Sequence, residues 1–198
     1  MSKAFEEWTN RDLFDLVSAY PLAWMISNAN GFDATLMPLL LDVDQNGQPV
    51  SLTGHFPRSR PHYKKLCDDP RAVFLFQGPH AYISPELVTK KDWAPTWNFA
   101  AASIEADVLF DDALTHEALT RLVAHMEAGS SSPWTVDFLG PRYERMRQAV
   151  IGFRAPIRSI DARFKLGQDE SDAEFQEIVG RFDSHPLADW MTRFRSTV

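Results

Sequence analysis

The sequence predicts a mainly β protein with added helices: a barrel of six or more antiparallel strands and a helical C-terminal part. Three observations predict this fold class. Short segments rich in strand-forming residues recur along the chain and are closed by turn residues. Two Asn-Gly pairs, Asn30-Gly31 and Asn46-Gly47, are strong hairpin signals. Towards the end, apolar residues take helical spacing.

The first half is expected to open with a helix and to continue in hairpins. Thr9 and Asp12 have the spacing of a capping box, although a plain surface helix start is the preferred interpretation, and the helix should run to about Ala19. Strands are expected over residues 21–27, 34–43 and 49–55, followed by a short helix over 59–67.

In the second half, Gly78-Pro79 predicts a turn between a strand over 71–76 and a strand over 81–84. The later elements are expected to be a strand over 97–110, helices over 116–127 and 141–148, a strand over 149–160, a helical stripe over 175–182 and a last short helix after 183–186. The helix over 116–127 is expected to bury the face formed by Leu119, Leu122, Val123 and Met126.

Length and composition limit the organisation, compartment and partners. The 198 residues fit one domain, 1–198, with a helical extension over about 165–198. A single cysteine, Cys67, excludes an internal disulfide and fits a reducing compartment. The apolar run around 36–41 is too short to span a bilayer, so we expect a cytoplasmic protein without membrane contact. The net charge of −7 makes DNA binding doubtful without excluding a local basic face.

One basic turn has the residue types of a phosphate site. A strand ending at Thr53-Gly54-His55 is followed by Arg58, Ser59 and Arg60 and then by a predicted helix, whose free N–H groups favour an anion. Arginine adds bidentate contacts to a phosphate. A solvated basic turn is the alternative interpretation.

Two further stretches combine polar side chains with flat aromatic ones. Gln77, His80 and Tyr82 lie at the predicted turn between two strands, and Thr96 and Asn98 share a strand face opposite Trp97. Planar cofactors bind to apolar surfaces with a few fixed polar groups. Core aromatic residues and turn-capping polar residues are the alternative for each stretch.

The histidines do not predict a metal site. His55, His62 and His80 match no familiar ligand spacing. Cys67 stands beside Asp68 and Asp69, which disfavour a thiolate, so a catalytic cysteine is not expected.

Several motifs occur in the order seen in one known family. They are Gly54-His55 with Arg58, Phe76-Gln-Gly-Pro-His-Ala-Tyr-Ile-Ser84, Pro95-Thr-Trp-Asn-Phe99, Ile151-Gly-Phe153 and Lys165-Leu-Gly-Gln168. Over nearly the whole chain, the sequence resembles the PaiB-like proteins, a family of FMN-binding negative transcriptional regulators. The resemblance implies an FMN-binding split β-barrel, of the kind used by pyridoxamine-phosphate oxidases. It also implies a homodimer with FMN at the subunit interface.

The resemblance also implies which residues hold FMN. Arg58, Ser59 and Arg60 would bind the phosphate, and the strand from Thr35 to Leu40 would run its backbone past the isoalloxazine ring. The remaining implied cofactor residues are Pro38, Leu39, Thr53, Gly54, His55, Gln77, Thr96, Trp97 and Asn98, some of them from the other subunit.

The chain departs from the family pattern at several positions. Leu87-Val88 stands for a Trp-Tyr pair, Ser103 for a histidine, Ala106 for a glycine, Arg60 for an asparagine and Lys165-Leu-Gly-Gln-Asp169 for Lys-Leu-Ser-Gln-Asn. Smaller residues in place of two aromatic ones predict more space beside the flavin, and hence a specialised member with its own small-molecule substrate. A relaxed paralogue that binds FMN weakly is the alternative.

Three functions follow from these observations. The first is FMN-dependent oxidoreductase chemistry on a small molecule, with His55, His80 and Tyr82 as candidate acids or bases on residue type alone. The second is a negative transcriptional regulator that responds to FMN or redox state, without catalytic activity. The third is an FMN-free binding module. The sequence leaves open whether the protein is an enzyme.

Overall fold

The computed structural model describes residues 3–28, 31–182 and 184–195. The eight strands of these ranges are β1 Leu22–Ser27, β2 Asp33–Pro38, β3 Leu40–Val43, β4 Pro49–Pro57, β5 Arg71–Ile83, β6 Thr96–Asp107, β7 Leu109–Asp111 and β8 Val150–Lys165. The six α-helices are α1 Asn10–Ala19, α2 Pro61–Asp68, α3 Leu114–Met126, α4 Pro141–Arg147, α5 Asp172–Arg181 and α6 Pro186–Arg195. The fold class predicted from the sequence is therefore confirmed.

Both predicted hairpins form. β1 pairs with β2 along its whole length, and Ala29 and Asn30 of the predicted turn lie outside the described residues. β3 pairs with β4 across a turn in which the Asp44 carboxylate accepts hydrogen bonds from two backbone N–H groups. Gly47 has φ +75° in this turn, a conformation that favours glycine.

The single strand predicted over 34–43 is wrong, because the chain changes partner at its middle. β2 ends at Pro38, which has no N–H to donate, and β3 begins at Leu40. Between them, Leu39 donates its N–H to the Pro21 carbonyl at 2.9 Å and buries its side chain fully. β2 thus continues the pairing with β1, while β3 pairs with β4.

The turn predicted at Gly78-Pro79 is also wrong. β5 is continuous and pairs with β6, with a β-bulge between Gln77 and His80. A bulge tolerates a proline inside a strand because the ladder is locally interrupted there. Gly78 is needed because a Cβ atom at this position would lie 2.5 Å from Cδ1 of Leu16 on α1.

β8 joins the two parts of the sheet. Its first half pairs with β4 and β7, and its second half pairs with β6. The strand order is β2-β1-β5-β6-β8-β4-β3, with β7 beside β8. This arrangement is the split barrel. The strand predicted over 97–110 is interrupted at Val108, whose N–H bonds the Pro70 carbonyl, and β8 continues past the predicted end to Lys165.

The capping box of α1 forms, so the interpretation as a plain surface helix start is wrong. The Asp12 N–H donates to Thr9 Oγ1 at 3.2 Å, and the Thr9 N–H donates to the Asp12 carboxylate at 2.9 Å. The two bonds satisfy backbone donors that the helix itself leaves free. α1 then buries Leu13, Leu16 and Val17 in the barrel core.

The apolar face predicted for α3 is wrong in part. The buried side chains of α3 are Thr115 and Ala118, while Met126 is exposed. Small residues are needed because α3 lies very close to β8: a Cβ at Gly152 would lie 2.5 Å from the Leu114 carbonyl carbon. The Gly152 N–H also donates to Thr115 Oγ1 at 2.9 Å.

The C-terminal helices complete the core. α5 buries Phe175 and Ile178, as the stripe predicts. The break predicted at 183–186 precedes α6, which begins at Pro186, and Asp183 lies outside the described residues. On α6, Trp190 and Phe194 stack on Phe164 of β8. No helix in the described ranges is long and apolar enough to cross a membrane.

Candidate functional site

One side of the sheet carries large apolar side chains that nothing in the described chain covers. Strand register places Leu36, Trp24, Leu75, Ser103 and Asp161 in a row across β2, β1, β5, β6 and β8. Trp24 is 49% exposed. We call this row and its neighbours on the same side the exposed sheet face. A contiguous apolar surface of this kind marks a binding or association site.

The exposed sheet face carries a shallow, open hollow. A cavity of about 410 Å³ lies on it, with Trp24 and Leu75 at one side, Ala101 and Ser103 between, and Arg163 at the other side. Ser103 is one of the departures from the family pattern noted above, and its small side chain leaves this space open. The hollow is therefore a candidate site for a planar ligand or a partner surface.

The aromatic cluster predicted from the sequence continues this face beyond the β-bulge. Gln77 Nε2 lies 3.2 Å from Nδ1 of His80, whose ring stacks on Trp97 with 6.3 Å between centroids. Trp97 and Tyr82 are opposite each other in the β5–β6 register, and both are about half exposed. The bulge keeps Gln77, His80 and Tyr82 on one side of β5 although two residues separate the first two.

The basic turn, residues 58–60, connects β4 to α2. Ser59 and Arg60 are exposed, and Pro61 opens the helix. Arg60 is the N-cap residue, and no side chain in the described chain caps the helix start. An uncapped helix start beside an exposed arginine and hydroxyl suits a phosphate group.

Arg58 differs from its two neighbours because its side chain is bound within the chain. Its Nε donates to the Val150 carbonyl at 3.0 Å, and Nη2 forms an ion pair with Asp112. Arg58 thus fastens the basic turn to β8 and to the start of α3.

Thr53, Gly54 and His55 lie within β4, which continues past the predicted strand end to Pro57, and they serve different purposes. Thr53 is buried and donates to the Asp42 carboxylate at 2.6 Å. At Gly54 a Cβ would lie 2.7 Å from Leu39 Cδ2 and 2.8 Å from Phe153 Cζ, so close packing requires glycine. His55 is half-buried, and its Nδ1 atom is buried without a hydrogen-bond partner in the described chain. Burial lowers the pKa of His55, which favours the neutral ring.

The other predicted cofactor residues divide between the two sides of the sheet. Thr35 is buried and bonds His62, while Asn98 is buried and donates to Met191 Sδ at 3.6 Å. Thr96 accepts a hydrogen bond from Lys165, and Pro38 is half-buried at the end of β2. Thr35, Leu39, Thr53 and Asn98 are thus buried, whereas Gln77, Trp97, Ser59 and Arg60 present their side chains at the surface.

The apolar part of the exposed sheet face is not among the site residues predicted from the sequence. In β1 both alternating sets are apolar, since Ala23 and Met25 face the core while Leu22 and Trp24 are exposed. A strand that is apolar on both sides is covered on both sides. This signal was present in the sequence and predicts a partner for the outer side.

Comparison with known proteins decides the family. Residues 1–159 match the model of a family described as "Putative FMN-binding domain". The chain belongs to this family. The matched region contains the basic turn, the whole exposed sheet face except the end of β8, and the cluster around Trp97.

A curated relative supports the same assignment. The chain is 27% identical over 183 residues to "Protease synthase and sporulation protein PAI 2" of Bacillus subtilis, covering 89% of this chain and 86% of the relative. The predicted resemblance to PaiB-like proteins is therefore confirmed.

Two solved structures share the fold. A FAD and haem binding protein from Mycobacterium smegmatis has a TM-score of 0.61 at 15% identity, covering 85% of this chain and 77% of that protein. The flavocytochrome Anf3 from Azotobacter vinelandii has a TM-score of 0.60 at 15% identity, covering 80% and 68%. The split barrel is thus a fold that this family shares with distant proteins.

Proposed function

We propose that this chain binds FMN non-covalently as a homodimer and carries out oxidoreductase chemistry on a small molecule. The observation that carries the proposal is the combination of an uncapped, arginine-bearing helix start with an exposed, apolar sheet face that carries a hollow, in a chain of the FMN-binding family. FMN, when bound, supplies hydride or single-electron transfer.

The residues at the basic turn fit the phosphate of FMN. Ser59 and Arg60 are exposed, and no side chain in the described ranges caps the start of α2. Pro61 has no N–H and the Tyr63 N–H donates to the Arg60 carbonyl at 3.0 Å, so the first-turn backbone donor offered to a phosphate is the His62 N–H. Arg58 is already bound to Asp112, so we assign it mainly to holding the turn in place. The phosphate ligands in this proposal are therefore Ser59, Arg60 and the start of α2.

Other residues fit the ring system. The unpaired Nδ1 of His55 is a buried polar atom that a ring oxygen or nitrogen would satisfy. Gln77 and Trp97 offer an amide and an aromatic surface on the exposed sheet face. Their role is to hold the ring, cover it from water and orient it towards a substrate.

A second copy of the chain is the proposed cover for the exposed sheet face. The large apolar side chains there are between 39% and 54% exposed: Leu22, Trp24, Leu36, Leu75, Tyr82 and Trp97. Burying such a surface against its own copy gives a two-fold symmetric interface. In this arrangement each flavin lies between the two sheets, and neither subunit has a complete site alone.

The regulator hypothesis stays an untested prediction. The net charge of −7 disfavours direct contact with DNA phosphates. Regulation through a protein partner is compatible with the same flavin site.

The test is a reduction assay on the purified protein. Under anaerobic conditions the FMN-loaded protein is mixed with NADH or NADPH, and the visible flavin absorbance is followed. The proposal predicts bleaching, with recovery when air is admitted. The opposite result is FMN-loaded protein whose flavin is bleached neither by NADH or NADPH nor by an electron carrier or substrate reduced with dithionite. That result would contradict oxidoreductase activity.

A further inference from the structure

We propose that His62 is a positioning residue: it fixes the start of α2 against the β1–β2 hairpin and so places the basic turn for the flavin phosphate. This inference rests on the proposed function. The family resemblance implies no role for His62, and the spacing of His62 from the other histidines matches no metal-ligand motif.

The imidazole of His62 is buried and fully bonded. It is 3% exposed. Its Nε2 atom lies 2.9 Å from Ser27 Oγ, and its Nδ1 atom lies 2.8 Å from Thr35 Oγ1. The edge of the ring packs against Phe56, with 5.6 Å between centroids. A neutral imidazole donates from one nitrogen and accepts at the other, and a hydroxyl can match either role.

These bonds connect three elements of the proposed site. Ser27 ends β1, Thr35 lies in β2, whose backbone is the predicted neighbour of the ring, and His62 lies in the first turn of α2. His62 follows Arg60 by two residues, so the ring fixes the part of the helix that would hold the phosphate. The His62 side chain thereby helps to set the distance between the phosphate site and the ring site.

A second contact fixes the same helix on its outer side. Lys65 forms an ion pair with Asp33 at the start of β2. This pair is partly exposed, and exposed pairs contribute little on their own. The buried His62 bonds are therefore the stronger tie between α2 and the hairpin.

The alternative is a histidine that only stabilises the core. A core role affects all ligands of the site alike, whereas a role in placing the basic turn affects the phosphate contact selectively. Riboflavin has the ring of FMN and no phosphate, so the ratio of the two affinities separates these cases.

The experiment measures the affinity of flavin-free protein for FMN and for riboflavin by fluorescence titration. The variants are His62→Ala and Thr35→Val, which keeps the side-chain shape and removes one bond. His125→Ala is the control, because the His125 side chain bonds the Ser18 carbonyl of α1, away from the basic turn and β2. We expect the FMN-over-riboflavin ratio to fall roughly tenfold in His62→Ala. Thr35→Val should lower it by a smaller factor, and the control should leave it unchanged.

The possible outcomes distinguish a failure of the proposed function from a failure of the role of His62. If wild-type protein binds neither flavin, the proposed function fails. If wild-type protein prefers FMN and both folded variants keep that preference, the proposed function stands and the role of His62 is wrong. If His62→Ala does not fold, Thr35→Val alone decides, since an unchanged ratio in that variant overturns the inference.

Discussion

At the scale of single residues, side chains that look alike in the sequence have different roles. Arg58 and Arg60 are two positions apart, yet the first is bound to Asp112 and Val150 while the second is exposed at the helix start. Thr53 was a candidate flavin contact, but its hydroxyl donates to Asp42. The residue types therefore indicate which region of the chain forms the site. The hydrogen-bond partners then distinguish side chains that face a ligand from side chains that hold the structure in place.

The contrast between the two arginines gives a first prediction. Arg60→Ala should weaken FMN binding by about 1.5–3 kcal/mol, because it removes a charge-assisted bond to the phosphate. Arg58→Ala should cost less, since it acts through the position of the turn. Isothermal titration with FMN checks both, and Lys64→Ala is the control because Lys64 is a nearby charge outside the turn. An equal loss in Arg60→Ala and Lys64→Ala would remove Arg60 from the phosphate role.

Asp42 gives a prediction on pH. Burial raises the pKa of its carboxyl, but hydrogen bonds from Thr53, Arg121 and Ser51 outweigh burial, so the pKa lies below the ordinary value of 3.8. Its folded-state pKa is thus below its unfolded-state pKa, and the carboxylate stabilises the fold above pH 3.8. This stabilisation is lost as the pH falls through the folded-state pKa.

Urea unfolding of wild type and Asp42→Asn at several pH values tests this. The wild-type advantage should be full at neutral pH and should shrink below about pH 4. An advantage that stays constant into acid would show that the carboxylate charge is not what stabilises β3 and β4.

At the scale of elements, close packing decides where glycine is required. α3 lies so near β8 that a Cβ at Gly152 would meet the backbone of Leu114 and Thr115 at 2.5–2.7 Å. At Gly180, in the last turn of α5, a Cβ would meet nothing within 4 Å. Both glycines lie in regular secondary structure, so the same Gly→Ala change can be compared at a crowded position and at an open one.

Gly152→Ala should lower the free energy of unfolding by about 1–3 kcal/mol, because α3 must move away from β8. Gly180→Ala should raise it by up to about 1 kcal/mol, because alanine favours the helix. Chemical denaturation measures both. A Gly152→Ala protein as stable as wild type would contradict the close contact between α3 and β8.

Local signals predicted most elements but not the places where the chain changes partner. The hairpins, the α1 cap and the α5 stripe depend on neighbours within a few residues, which the sequence shows directly. The break at Leu39 and the continuous β5 depend on contacts with Pro21 and Leu16, far away in sequence. The inward direction of Thr35 and Asn98 depends likewise on His62 and Met191.

At the scale of the whole molecule, both sides of the sheet are apolar, but they differ in what covers them. One side is filled by α1, α5 and α6 and by a continuous apolar core. The exposed sheet face is also apolar in β1 and β5, where Trp24 and Leu75 lie side by side. A sheet that is apolar on both sides indicates association through its outer side.

The proposed interface predicts the effect of one charge. Trp24→Asp should convert the dimer to a monomer, because it places a carboxylate in the centre of an apolar contact. Met126→Asp is the control, since Met126 is 60% exposed on α3 and belongs to another surface. Light scattering after gel filtration gives the mass of each. A Trp24→Asp dimer would place the interface elsewhere.

One measurement tests FMN binding and dimer formation together. It is sedimentation velocity of FMN-loaded protein, recorded at the protein absorbance band and at the visible flavin band. We expect both signals to move together at the mass of two chains, with one FMN for each chain. Flavin that sediments as free molecules, or that travels with a single chain, would contradict a site completed by two subunits.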